Sequence, residues 1–248
     1  MGFLSDVLTW FGDGANWQGV DGMPNRLWEH ATMCVLALLS ALVLALPVGL
    51  VMGHTGRGGA LVINVSNLGR AIPSFAIIVL AAQVYGIGAT PAYIALVALA
   101  VPPIVTNSFT AIQGVDREVR ESAVGMGLTG RQVLTRVELP MGMPLIMAGV
   151  RTSGVQIVAT ATLAAIVGWG GLGRYVIDGL ATRDFVEVFA GAFAVGVLSI
   201  LTEIGLGALQ RALVPKGLRL PQRSDDRPEL SIAPGAAAAV TATTGVTS

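Results

Sequence analysis

Residues 116–144 read DREVRESAVGMGLTGRQVLTRVELPMGMP, the only long polar interval between strongly apolar segments, with four arginines and four acidic residues. The spacing predicts folded structure rather than loose loop. Asp116 is placed to cap a short helix whose apolar positions Val119, Ala123 and Met126 share one side, and Gly127 suits a left-handed turn at its end. Thr129 opens a second helix, with Gln132 three residues on completing a capping box. Val133, Leu134 and Val137 supply its apolar stripe, and Pro140 is expected to stop it. The expected product is a helix-turn-helix slung between two membrane segments with its charges outward, a surface shaped for docking.

Outward from that stretch the chain is apolar. It is 53% hydrophobic and 12% charged, with a mean hydropathy of +0.72, which makes it an all-α polytopic membrane protein. Formal net charge is zero, so there is no basic surplus to attract nucleic acid. The single cysteine, Cys34, lies in an apolar run, and the only histidines are His30 and His54; neither a disulfide nor clustered metal chemistry is available. No G-x4-G-K-[ST] phosphate loop is present, and the only lysine, Lys216, follows Val214-Pro215. There is no G-x-S-x-G elbow and no paired-carboxylate site. The chain is therefore expected to have no enzymatic activity, no bound cofactor and no metal.

Five apolar segments are expected to span the bilayer: residues 31–53, 60–85, 92–112, 145–167 and 185–209. The count rises to six if Arg70-Ala71-Ile72-Pro73-Ser74 divides the second. Before them, residues 1–30 hold no Lys or Arg until Arg26, unlike a secretory signal peptide. Phe3, Leu4, Val7, Leu8 and Phe11 recur at helical spacing, predicting an extracytoplasmic amphipathic helix with Trp17 and Trp28 as interfacial anchors. An aromatic cage for a cation is the alternative use of these rings. Residues 31–211 form the transmembrane domain, with the docking loop at 114–142, and residues 212–248 a cytoplasmic tail expected to be disordered. With five spans and the loop inside, the outside carries only Arg26, Arg174 and Arg183. The inside carries Arg57, the four loop arginines and the basic tail, as the positive-inside rule requires.

Glu121-Ser122-Ala123, three residues, Gly127, nine residues, then Val137-Glu138-Leu139-Pro140 resembles the EAA loop (E-A-A-x3-G-x9-I-x-L-P) of ABC importer permeases, with Ser122 for Ala and Val137 for Ile. The resemblance implies a type I importer permease fold in a bacterial cell membrane. It also implies that Glu121, Ser122, Ala123, Gly127, Val137, Leu139 and Pro140 form a coupling loop seated on a separate ATPase, where ATP and Mg would bind. Two ATPase subunits, a second permease subunit (identical or related) and an external solute-binding protein are the implied partners. Further stretches narrow it. Arg70 to Ala76, Gly86-Ile87-Gly88 with Pro91, Pro102 to Asn107, Ala148 to Thr152, Ala159 to Ala165 and Gly170 to Gly173 look like the osmoprotectant branch, which carries glycine betaine, choline, carnitine and proline betaine. Methionine and other amino-acid permeases share part of these stretches. An ion-coupled secondary transporter, an osmotic channel and a membrane scaffold remain as rivals.

Within the spans, Pro73, Pro102 and Pro103 free backbone carbonyls, which suits a hinge or path-lining role and a packing kink equally. Ser74, Asn107, Thr160 and Thr162 are candidates for the translocation path or its gate, with helix packing as the plainer reading. Glu203 is a carboxylate inside a span, a functional candidate by cost alone, with hydration near the cytoplasmic interface or pairing with Arg211 as the plainer reading.

Overall fold

A computed structural model describes residues 2–215; the tail from residue 216 onward lies outside them. Among the described residues every regular element is helical. The amphipathic N-terminal helix α1 (Phe3–Gly12) is followed by a single 3-10 turn (Gly14–Trp17), capped by Asp13 Oδ1. Helix α2 (Met23–Thr55) starts eight residues earlier than the apolar run suggested, because Pro24 suits a first helical turn, and it ends on left-handed Gly56.

The expected second span is two helices, α3 (Gly59–Ala71) and α4 (Ser74–Tyr85), of 13 and 12 residues. The break falls at Ile72-Pro73. Proline disfavours a helical residue before it and cannot donate a backbone hydrogen bond, so the chain stops and restarts with Pro73 as the N-cap of α4. Helices α2, α5 (Ala89–Gln113), the continuous helical run at 130–167, and α10 (Phe185–Leu213) are long and apolar enough to cross a membrane. Helix α10 takes in residues 212 and 213 of the expected tail.

Pro140 does not end the second loop helix. Helix α7 (Gly130–Val133) widens into a π-helical turn (Leu134–Glu138), where Leu139 N–H reaches back to Leu134 O, and then continues as α8 (Leu139–Ala161). Pro140 therefore falls in the first turn of α8, where a missing N–H costs little, and the wider turn before it accommodates the ring. Helix α8 tightens into a 3-10 segment (Thr162–Val167) and stops at left-handed Gly168. The polar stretch after it holds an additional short helix, α9 (Gly173–Thr182).

Helix α5 is the centre of the bundle, with α2 on one side and α8 on the other. A Cβ on Gly49 would stand 2.7 Å from Ser108 Cβ, and one on Gly53 2.7 Å from Ile112 Cβ, so α2 and α5 run parallel at near contact of their backbones. Ser153 Oγ donates to Ala100 O (3.1 Å), while Gly149 lies against Asn107, so α5 and α8 are antiparallel. The core between them is built from Ala37, Ala41, Ala45, Leu96, Ala100, Ile104 and Ile157. Its small residues allow helices to pack closely where lipid supplies no hydrophobic drive.

Candidate functional site: the docking loop and its buried anchor

Helix α6 (Arg117–Gly125) begins as its sequence predicts, with Asp116 Oδ1 accepting from Glu118 N–H at 2.8 Å. It ends in a paired turn: Gly127 N–H donates to Val124 O (2.9 Å) and Leu128 N–H to Ala123 O (3.2 Å), with Gly127 at φ +87°. The capping box of Thr129 and Gln132 is present, Thr129 N–H donating to Gln132 Oε1 at 2.8 Å. Of the expected apolar stripe on α6 only Ala123 is buried; Val119 is half-exposed and Met126 is 74% exposed. Met126 lies past the last helical residue, where the turn at Gly127 directs it away from the bundle. Glu121, Ser122, Val124 and Met126 are all exposed on the loop surface.

Glu121 Oε1 accepts from Arg117 Nε at 2.6 Å one helical turn away. That bond raises the Arg117 guanidinium further above its ordinary value, but both side chains stand in solvent and such pairs contribute little to stability. Glu121 is thus a solvated carboxylate that can exchange Arg117 for a cation on a partner surface. Val137, Leu139 and Pro140 lie behind the loop, and Leu139 packs against the core cluster of Ala111, Ile112 and Ile146.

The loop is held by an ion cluster that the spacing argument missed. Glu138 is 1% exposed. His54 Nδ1, at the end of α2, donates to its Oε2 at 2.6 Å, and Arg120 Nε of α6 stands 3.0 Å from its Oε1 as an ion pair without hydrogen-bond alignment. The same Arg120 donates through Nη2 to Ile112 O at the end of α5, and Gln113 Nε2 donates to Gly53 O at 2.7 Å. One buried carboxylate therefore ties α6, the π turn and α2 together, with α5 joined through Arg120. The signal was available: Glu138 lies four residues after Leu134, on the stripe that faces inward.

The candidate path residues do not converge. Pro73 and Ser74 sit at the break between α3 and α4. Asn107 Nδ2 donates to Pro103 O (2.8 Å) and its side chain lies against Gly149 of α8. Thr160 is buried in α8, and Thr162 Oγ1 is buried without a hydrogen-bond partner where α8 tightens. Glu203 pairs with Arg151 Nε at 2.9 Å rather than with Arg211, because the antiparallel crossing of α8 and α10 sets residues 151 and 203 side by side. Arg151 Nη1 also donates to Gln210 Oε1 at 3.2 Å.

At the opposite end of the bundle, Gly88 N–H donates to Val167 O (2.7 Å), and Glu29 Oε2 accepts from Arg26 Nη1 and from Gly171 N–H, each at 2.8 Å. His30, fully buried, donates from Nε2 to Val158 O at 3.0 Å, tying α2 to α8. Tyr175 Oη donates to Asp21 O at 2.5 Å; burial chiefly, with Glu187 and Asp21 adding to it against Arg26, pushes the phenol up to about 12.

Comparison with known proteins places this architecture. Residues 45–217 match the family model described as binding-protein-dependent transport system inner membrane component. The choline transport system permease protein OpuBB of Bacillus subtilis (strain 168) is 35% identical over 194 residues, covering 78% of this chain and 89% of that protein. The glycine betaine/carnitine/choline transport system permease protein OpuCB of the same organism is 36% identical over 191 residues, covering 77% and 88%. Among solved structures, an inward-facing conformation of the MetNI methionine ABC transporter aligns with a TM-score of 0.67 at 22% identity, covering 78% of this chain and 96% of that one.

Proposed function

The chain belongs to the family of binding-protein-dependent transport system inner membrane components, and on that premise we propose that it is the transmembrane permease subunit of an ATP-driven importer of osmoprotectants such as choline, glycine betaine and carnitine. The solute class follows the names of its relatives, which are permeases for those quaternary amines. Two ATPase subunits, a second permease subunit and an external binding protein complete the machine. The chain's own part is to carry motion and enclose the path; hydrolysis belongs to the partner.

The observation that carries the reading is the loop at 116–140. A solvated carboxylate, Glu121, stands among exposed small and apolar groups on a surface rigidly tied to the spanning helices through Glu138. Desolvated against a partner's arginine or lysine, Glu121 makes a charge-assisted contact. Ser122, small and exposed, lets the partner surface approach closely, while Ala123 is buried and seats α6 on the bundle. Closure of the ATPases then moves α6, and the buried cluster passes the displacement to α2, α5 and α8 as a rigid-body change between inward- and outward-facing states.

The test is uptake of labelled choline in cells that express the chain with its partner subunits, comparing wild type with Glu121→Lys. The expected result is full membrane insertion and loss of uptake in the variant. Normal uptake by a well-inserted Glu121→Lys protein would refute the docking role, and uptake that survives ATP depletion would refute the machine.

A further inference from the structure

A cavity of about 300 Å³ opens at the end of the bundle remote from the docking loop, lined by Trp28, Glu29, Thr32, Met33, Leu36 and Trp169. Two indoles and a carboxylate around one hollow are the chemistry that holds a cation lacking hydrogen-bond donors. Trp169 is the fixed wall, since it packs against two of the bundle's core clusters, one around Ala37 and Ile157 and one around Ile78 and Ala164. Trp28 is the exposed wall at 72%.

Glu29 is oriented for the task. Its Oε2 is engaged twice, by Arg26 Nη1 and by Gly171 N–H, while among the described residues no bond occupies Oε1. Arg26 is also paired with Asp21, so two carboxylates share one guanidinium and the cluster keeps a net negative charge. The turn at 168–171 packs on this pair: a Cβ on Gly170 would lie 2.7 Å from Arg26 Nη1, so the turn backbone sits directly against the ion pair.

Glu29, Met33, Leu36 and Ser40 succeed one another on one face of α2, and Ser40 Oγ and Tyr93 Oη share a hydrogen bond of 2.5 Å about three helical turns below Glu29.

We propose that the Trp28–Glu29–Trp169 cavity is a quaternary-ammonium site on the permease itself, the outer station at which a delivered solute first leaves its carrier. It rests on the solute class given above. The site takes the trimethylammonium group between the two indoles with Glu29 as counter-charge; a neutral molecule of the same shape is rejected.

The experiment is equilibrium dialysis of labelled choline against the purified permease–ATPase complex in lipid nanodiscs, with the binding protein omitted. Competitors are tetramethylammonium and the neutral choline isostere 3,3-dimethylbutan-1-ol. Expected are saturable choline binding, competition by tetramethylammonium but not by the alcohol, and a loss of about tenfold in affinity for Trp28→Ala and for Glu29→Gln, with Trp28→Phe retaining most of it. Trp28 is exposed, so its removal leaves the fold intact. Absence of saturable binding, equal competition by the alcohol, or affinities unmoved by Trp28→Ala and Glu29→Gln would each overturn the assignment. Whole-cell uptake separates the two readings. Quaternary amines taken up normally while these binding results fail would remove the cavity alone, whereas no quaternary-amine uptake at all would remove the solute class.

Discussion

Replacing Glu138 with alanine exposes what the loop at 116–140 owes to its buried anchor. The change strips Arg120 of its counter-ion and His54 of its hydrogen-bond acceptor and leaves both facing a hole. Breaking a buried ion cluster from one side costs about 3–5 kcal/mol when the survivors are fully desolvated. Here the Arg120 and His54 side chains are 23% and 27% exposed, so water reaches them on relaxation, and about 2–3 kcal/mol is the expected loss. For a domain of this size that corresponds to a fall in Tm of about 4–12 °C. The chain carries its own reporter: Cys34 is its single cysteine and only 6% exposed, so a thiol-reactive dye labels it on unfolding. The assay needs partner subunits free of cysteine. His54→Ala should cost less than Glu138→Ala, and the double variant should fall short of the sum by about 1 kcal/mol, the signature of a shared interaction. A Glu138→Ala protein melting within about 1 °C of wild type, or strict additivity with His54→Ala, would refute the anchor.

Two further outcomes follow from other parts of the molecule. Tyr175 is raised in the folded state from 10.0 to about 12, so the folded protein keeps a proton that the unfolded chain loses; stability is unaffected below pH 10 and falls as pH rises from 10 toward 12. Melting curves across that window should flatten in Tyr175→Phe, and an unchanged alkaline slope would show that the phenol is not the group responsible. Glu203→Ala should lower stability by less than about 1 kcal/mol and leave uptake near wild type, because the Arg151–Glu203 pair is nearly half-exposed on both sides; a large loss of transport with normal stability would return Glu203 to the path.

How much was legible depended on the distance over which each feature is determined. The cap at Asp116, the turn at Gly127 and the Thr129–Gln132 box are contacts within three to five residues, and every one formed where its sequence placed it. Apolar run length likewise located α2, α5, α8 and α10, since a bilayer imposes a minimum span. The division of the second segment was flagged by Pro73, whose effect on its own backbone is local.

Features that depend on a partner distant in the chain were not legible. Pro140 reads as a helix stop, yet the π turn before it moves the proline into a first-turn position, and that turn is stabilised by Glu138 reaching residues 18 and 84 positions away. Glu203 pairs with Arg151 because α8 and α10 cross antiparallel, a fact no spacing within α10 contains. Trp28 and Trp169 share a cavity only because the turn at 168–171 is latched to Glu29 across 142 residues. The residue pattern alone determined a helical membrane protein with an exposed, capped polar loop, because burial of apolar runs and helix capping are decided by near neighbours. The anchor beneath the loop and the cavity at the far end were decided by tertiary structure, because ion pairs and aromatic walls need groups that only packing brings within a few ångströms.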